Sequence, residues 1–198
     1  MLEHGLIDRL RQLPDLSAEF SDMLEHEGYS LAVPAGRLQP TMPGSAMVGP
    51  ATTIRYLPER REPGALRRED PDGKLGNRQP AQTAERGDVL VIQSPRLDAS
   101  VLGFEAAATL QKAGIAGAVV DGAVRDLSGL ADLGFACWST GKTPITGRWR
   151  LEAVAYGEPV SICGVQARQG DVVVADDGGV VFVPADRFDE LARRLIGR

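Results

Sequence analysis

Ile115-Ala116-Gly117-Ala118-Val119-Val120 is an uncharged apolar run, and Asp121-Gly122-Ala123-Val124-Arg125-Asp126 follows it directly. The run reads as a buried strand over 115–120, because β-branched residues pack well on a pleated surface. A cation and a carboxylate then stand side by side beyond the expected strand end. In open α/β sheets the crevice outside the carboxyl ends of the strands is where ligands sit. Arg125 offers a planar donor fork that matches a carboxylate. Asp126 offers oxygen ligands for a hard cation. Taken alone, the same residues also suit an exposed turn with a solvated ion pair.

Working outward, Val89-Leu90-Val91-Ile92 reads as a second buried strand, with a helix expected from about Ser100 to Ala113 and ended by Gly114. If the two strands are parallel neighbours, the start of that helix faces Arg125, and helix N-termini bind carboxylates. Leu127 to Leu133 is expected to be helical with Gly134 as its cap, and Phe135-Ala136-Cys137-Trp138 to be a short strand. Met47 to Leu57 reads as a strand that Pro50 confines to an edge or a bulge. Residues 58–77 are charged and rich in Pro and Gly, which reads as a mobile surface insertion. Residues 78–86 suit a short helix, and residues 29–45 an irregular loop.

The N-terminal 27 residues read mainly as helix, broken at Pro14 and restarted with Ser17 as N-cap and Gly28 as stop. The last third changes character. Short strands around Gly164 lead to Val172-Val173-Val174-Ala175. The turn Asp176-Asp177-Gly178-Gly179 then leads into Val180-Val181-Phe182-Val183, and an amphipathic helix closes the chain over 188–195. The expected fold is a single α/β domain with a central mixed sheet, a helical N-terminus and C-terminal antiparallel strands.

Composition narrows the function. At 198 residues, 43% apolar and 25% charged, the chain suits one soluble domain. A net charge of -5 and an aromatic share of 5% give no footprint for nucleic acid. No apolar run approaches a membrane span. Cys137 and Cys163 form no metal or disulfide pattern, and with no export signal the expected location is cytoplasmic. The two histidines, His4 and His26, lie in the N-terminal helical region, away in sequence from any nucleophile. No Walker loop or strand-linked GxGxxG is present. Carboxylate and arginine chemistry with an oxygen-ligated metal remains.

Several blocks, in order, carry a resemblance. They are Phe20-Ser21-Asp22-Met23-Leu24, Met47-Val48-Gly49-Pro50-Ala51, Gly87-Asp88-Val89-Leu90-Val91, the run from Gly114 to Asp126, Leu133-Gly134-Phe135, and Gly170-Asp171 to Val181. Together they resemble the family of RraA, the regulator of ribonuclease activity A, which includes 4-hydroxy-4-methyl-2-oxoglutarate aldolases. The resemblance implies a swivelling β/β/α-type domain assembled as trimers or hexamers. It implies a pyruvate-binding role for Arg125 and a Mg²⁺- or Mn²⁺-binding role for Asp126. Backbone N–H groups near Gly103, Phe104 and Glu105 would hold the substrate carboxylate.

The aldolase pattern has an acidic residue at the position of Phe104. A phenyl ring there would leave the pocket drier, with Glu105 or Asp98 as substitute acids; Glu105 stands next to it and is counted with Arg125 and Asp126 as catalytic. The implied activity is a metal-dependent lyase on 2-oxo acids, by retro-aldol cleavage or oxaloacetate decarboxylation. The alternative is a non-catalytic regulator that binds a ribonuclease.

Overall fold

The computed structural model describes residues 4–197. Two helices, α1 (His4–Leu10) and α2 (Leu16–His26), precede the short strands β1 (Ala32–Pro34) and β2 (Gln39–Pro40) and the long strand β3 (Met47–Pro58). Helices α3 (Pro63–Glu69) and α4 (Arg78–Thr83) follow. Then come β4 (Val89–Gln93), β5 (Ser100–Leu102), α5 (Phe104–Lys112), β6 (Gly117–Val124), α6 (Leu127–Leu133) and β7 (Ala136–Lys142). The chain continues through β8 (Leu151–Tyr156), β9 (Val160–Ile162), β10 (Val165–Ala167), β11 (Val172–Asp176), β12 (Gly179–Val183) and α7 (Ala185–Ile196).

One mixed sheet runs β1-β12-β11-β3-β4-β6-β7-β2, with β5 beside β6 and β8 beside β3. Strand β3 joins its two halves. Met47 to Pro50 pair antiparallel with β11, and Ala51 to Arg55 pair parallel with β4. Pro50 therefore sits inside a long strand, where the chain changes partners, and not at an edge or bulge. Its missing N–H is tolerated at that changeover.

Alternation along each strand builds three apolar layers. Leu90, Ile92, Ala118 and Val120 face α5 and α6. Val89, Val91 and Val119 face the opposite way, against Val173, Ala175 and Phe182. Val172, Val174, Val181 and Val183 pack under α2 and α7, where Phe20 and Phe188 stack with ring centroids 5.7 Å apart. Both faces of the parallel strands are covered, which is why they read as continuous apolar runs. Among the described residues no helix is long and apolar enough to cross a membrane.

Other local expectations change. Residues 29–45, expected as irregular loop, contain β1 and β2, which pair with β12 and β7. Strand β6 runs on through Asp121-Gly122-Ala123-Val124. Asp121 is a structural residue: its Oδ2 accepts the Cys163 N–H at 2.7 Å. Gly122, at φ +156°, lies so close to Ser94 that an added Cβ would come within 2.7 Å of it. Ser100–Leu102 is a buried strand parallel to β6, and the helix starts only at Phe104. Asp15, at φ +52°, is the N-cap of α2, while Ser17 is buried and tied through its N–H and hydroxyl to Asp176. Within 58–77, α3 buries no residue, but Asp70, Gly76 and Asn77 are hydrogen-bonded to Trp149, Tyr156, Tyr56 and Val101. Gly134 (φ +65°) and the Asp176–Gly179 hairpin stand as expected.

Candidate functional site

Arg125 and Asp126 leave the end of β6 together. The Arg125 N–H donates to the Leu102 carbonyl at 3.0 Å, which pins the end of β6 to β5. Asp126 then takes a left-handed conformation, φ +57° and ψ +44°, as the residue before α6. Short polar residues tolerate this region better than most, and such conformations cluster at functional sites. The Asp126 carboxylate does not cap α6. It turns toward α5, where Oδ2 accepts the Phe104 N–H at 3.1 Å and lies 3.4 Å from Arg125 Nε. Asp126 Oδ1 has no hydrogen bond among the described residues.

Gly103 makes this approach possible. Its backbone is extended, so conformation does not demand glycine there. Space does: a Cβ would lie 2.6 Å from Asp126 Oδ2 and 2.9 Å from Arg125 Cγ.

Beside this constellation lies a cleft of about 290 Å³. Its lining includes Lys74 and Asn77 from the segment before α4, Ser100 from β5, Glu105 from α5, Arg125, and Arg148 from the β7–β8 connection. The volume is at the lower end of the range for small-molecule sites, roughly 300–1,000 Å³. Glu105 faces the cleft and pairs with Arg148 at 3.0 Å. Phe104 contributes its N–H, while its ring is 43% exposed, packs against Gly129 of α6 and is not part of the cleft lining. The ring therefore does not dry the pocket as the sequence suggested. Asp98 also lies away from the lining. Arg96 binds it through two hydrogen bonds and holds its carboxyl below the usual carboxylate range, which makes it a weaker base.

The metal question turns on the donor set. Among the described residues no three His, Cys, Asp or Glu side chains gather into a cage. One half-exposed carboxylate with a free oxygen is the arrangement that suits Mg²⁺, which keeps several waters and takes one or two protein carboxylates. The residues present fit such an ion, and Asp126 is the one that would hold it.

Sequence reasoning brought Arg125, Asp126, Gly103 and Glu105 to one place. It missed Lys74, Asn77 and Arg148, and it placed Ser100 at the start of a helix and not in β5. The first two were hidden in a Pro- and Gly-rich segment, and Arg148 in a connection with no periodic signal.

The RraA-like (Aldolase/RraA) family profile matches residues 17–182. The chain belongs to the RraA-like family. Among its relatives is protein DlpA of Legionella pneumophila, 30% identical over 91% of this chain but only 28% of that protein. A Halalkalibacterium halodurans protein provisionally named 4-hydroxy-4-methyl-2-oxoglutarate aldolase is 31% identical over 56% of this chain and 53% of its own length. This RraA-like chain thus spans between about a quarter and about half of those relatives. The crystal structure of Streptomyces coelicolor RraAS2, described as an unusual member of the RNase ES inhibitor RraA protein family, superposes with a TM-score of 0.83. It is 28% identical, with 100% of this chain and 94% of that chain covered. The mixed α/β architecture is that of the RraA-like structures.

Proposed function

We propose that the protein is a divalent-metal-dependent lyase that acts on 2-oxo acids and releases pyruvate. Its reactions would be retro-aldol cleavage of 4-hydroxy-4-methyl-2-oxoglutarate-type substrates, decarboxylation of oxaloacetate, or both. The observation that carries the reading is the constellation at the end of β6: Arg125 on the cleft, with Asp126 turned back onto the start of α5 and one carboxylate oxygen left free.

Arg125 binds the substrate carboxylate through its guanidinium fork. Free N–H groups in the first turn of α5 add donors for the same anion. Asp126 would hold Mg²⁺ or Mn²⁺, which would supply Lewis-acid polarisation of the substrate carbonyl. Breaking the C–C bond leaves negative charge on the pyruvyl fragment, and Arg125 lies where that charge develops. Glu105 is the carboxylate on the cleft available to move the hydroxyl proton in the aldol reaction, a contribution typically worth about 10²–10⁴-fold. Decarboxylation has no hydroxyl proton to remove, so it depends less on Glu105.

The Halalkalibacterium relative's name supports aldol chemistry. The likeness to RraAS2 supports a second reading, a protein-binding regulator without catalysis. Pyruvate release from oxaloacetate and from 4-hydroxy-4-methyl-2-oxoglutarate separates the two. The lyase needs added Mg²⁺, stops with chelator and is lost in Asp126→Ala. No release from either substrate with Mg²⁺ present would leave only the regulator.

We also propose a homotrimer or a pair of trimers. The resemblance to the RraA family and the strongly apolar strands of a short chain support this. Sedimentation should show the oligomer at micromolar concentration, and a monomer there would refute it.

A further inference from the structure

Residues 63–77 are fastened at two ends that differ in kind. At the far end Asn77 is 6% exposed. Its Oδ1 accepts the Tyr56 hydroxyl at 2.6 Å, and its Nδ2 donates to the Val101 carbonyl at 2.8 Å. Next to it in the chain, the Gly76 carbonyl accepts the Tyr156 hydroxyl at 3.1 Å. Breaking the Asn77 bonds would leave polar groups unpaired in the core, which is costly. The near end meets the body of the protein at Trp149, on the surface. Trp149 Nε1 donates to the Asp70 carbonyl at 2.8 Å, and the Arg67 guanidinium lies over the indole, 5.4 Å from its centroid. Water can replace these exposed contacts, so they open at little cost. Helix α3 buries no residue, so it adds no resistance.

Trp149 is strained where it holds the segment. Its φ is +61°, a region that bulky residues avoid and that persists only where the surroundings enforce it. The seat of the indole enforces it here, since Gly73 lies so close that a Cβ would fall 2.3 Å from Nε1. Both sides of this contact lead to the cleft. Lys74 and Leu75 follow Gly73 and line the cleft. Arg148 precedes Trp149 and lines it too, paired with Glu105.

We propose that residues 63–76 form a gate on the cleft, hinged at Asn77 and latched by Trp149. With the latch seated, Lys74 and Leu75 close one wall of the cleft. With Trp149 released, that wall swings out, and the turn that carries Arg148 relaxes with it. That the gate serves a 2-oxo acid rests on the function proposed above.

Lysine occurs at positions 74, 112 and 142 alone, so a lysine-specific protease reads the gate against two internal controls. Lys112 ends α5 and Lys142 ends β7. Leu75 packs against the core, so cleavage after Lys74 requires the gate to open. Trp149→Phe keeps a ring but loses the indole N–H, and cleavage after Lys74 should rise about fivefold, the scale of one lost hydrogen bond. Gly73→Ala pushes on the indole from the other side and should raise it at least as far. The melting temperature and cleavage after Lys112 and Lys142 should stay at wild-type values. In the wild type, oxalate with Mn²⁺ should slow cleavage after Lys74. A wild-type rate at Lys74 in either variant, or equal acceleration at all three lysines, would overturn the gate. Acceleration confined to Lys74, without protection by oxalate and Mn²⁺, would refute the 2-oxo acid reading and leave the latch standing.

Discussion

Gly103→Ala is a sharp perturbation of this site because it adds a single methyl group. The new carbon would lie 2.6 Å from Asp126 Oδ2, 2.9 Å from Arg125 Cγ and 3.0 Å from Arg125 Nε. Ordinary contact begins at 3.4 Å, so Oδ2 has to retreat by about 0.8 Å. The Phe104 N–H···Oδ2 bond, now 3.1 Å, would stretch out of hydrogen-bonding range. Arg125 shifts with it. The backbone at Gly103 is extended and the neighbouring side chains are partly exposed, so the fold loses little, about 1 kcal/mol as for an alanine at an N-cap. Function loses far more, since misplacing reacting groups by ~1 Å can cost about 100-fold. The expected result is a nearly native melting temperature, weakened Mn²⁺ binding and kcat/KM for pyruvate release down roughly 100-fold. Native Mn²⁺ affinity and native turnover in a folded Gly103→Ala variant would show that the packing of Arg125 and Asp126 on Gly103 does not set the site.

Arg125→Lys keeps the charge but loses the fork, and kcat/KM on oxaloacetate should fall at least tenfold; native efficiency would make Arg125 structural. Burial pushes the Cys137 thiol up to about 12 and the Cys163 thiol up to about 11. Neither should react appreciably with a thiol reagent at pH 8 until the protein is unfolded, and rapid labelling of the native protein would contradict that burial. Arg187 holds the Glu27 carboxyl below its ordinary range. That support is present above the ordinary carboxylate pKa and is lost as pH falls through Glu27's folded value. Glu27→Gln should therefore lower the melting temperature slightly at pH 7 and not at pH 3, and an equal drop at both would remove the charge argument.

Much of this fold could be read from the chain because its central strands bury both faces. Val89 to Ile92 and Val172 to Ala175 are apolar throughout, and glycines at 114 and 134 end helices in the left-handed region. The reading failed where a polar residue was satisfied inside. Asp121 looked like the start of a surface motif, yet Cys163 and Thr140 hold it within β6. Ser100 looked like a helix start, yet its N–H donates to the Ile145 carbonyl and its own carbonyl accepts the Gly147 N–H. The site was legible where charge stood out against apolar surroundings, at Arg125 and Asp126. Lys74 and Arg148 stand among other charges, and only the fold of 70–77 against Trp149 and Tyr156 reveals where they face.

The most direct test of the central claim is the anomalous signal of crystals soaked with Mn²⁺ and oxalate, which mimics the pyruvyl head. The account predicts Mn²⁺ held at the Asp126 carboxylate, with oxalate beside the Arg125 guanidinium. Mn²⁺ bound elsewhere, or no Mn²⁺ at Asp126 with oxalate present, would contradict it.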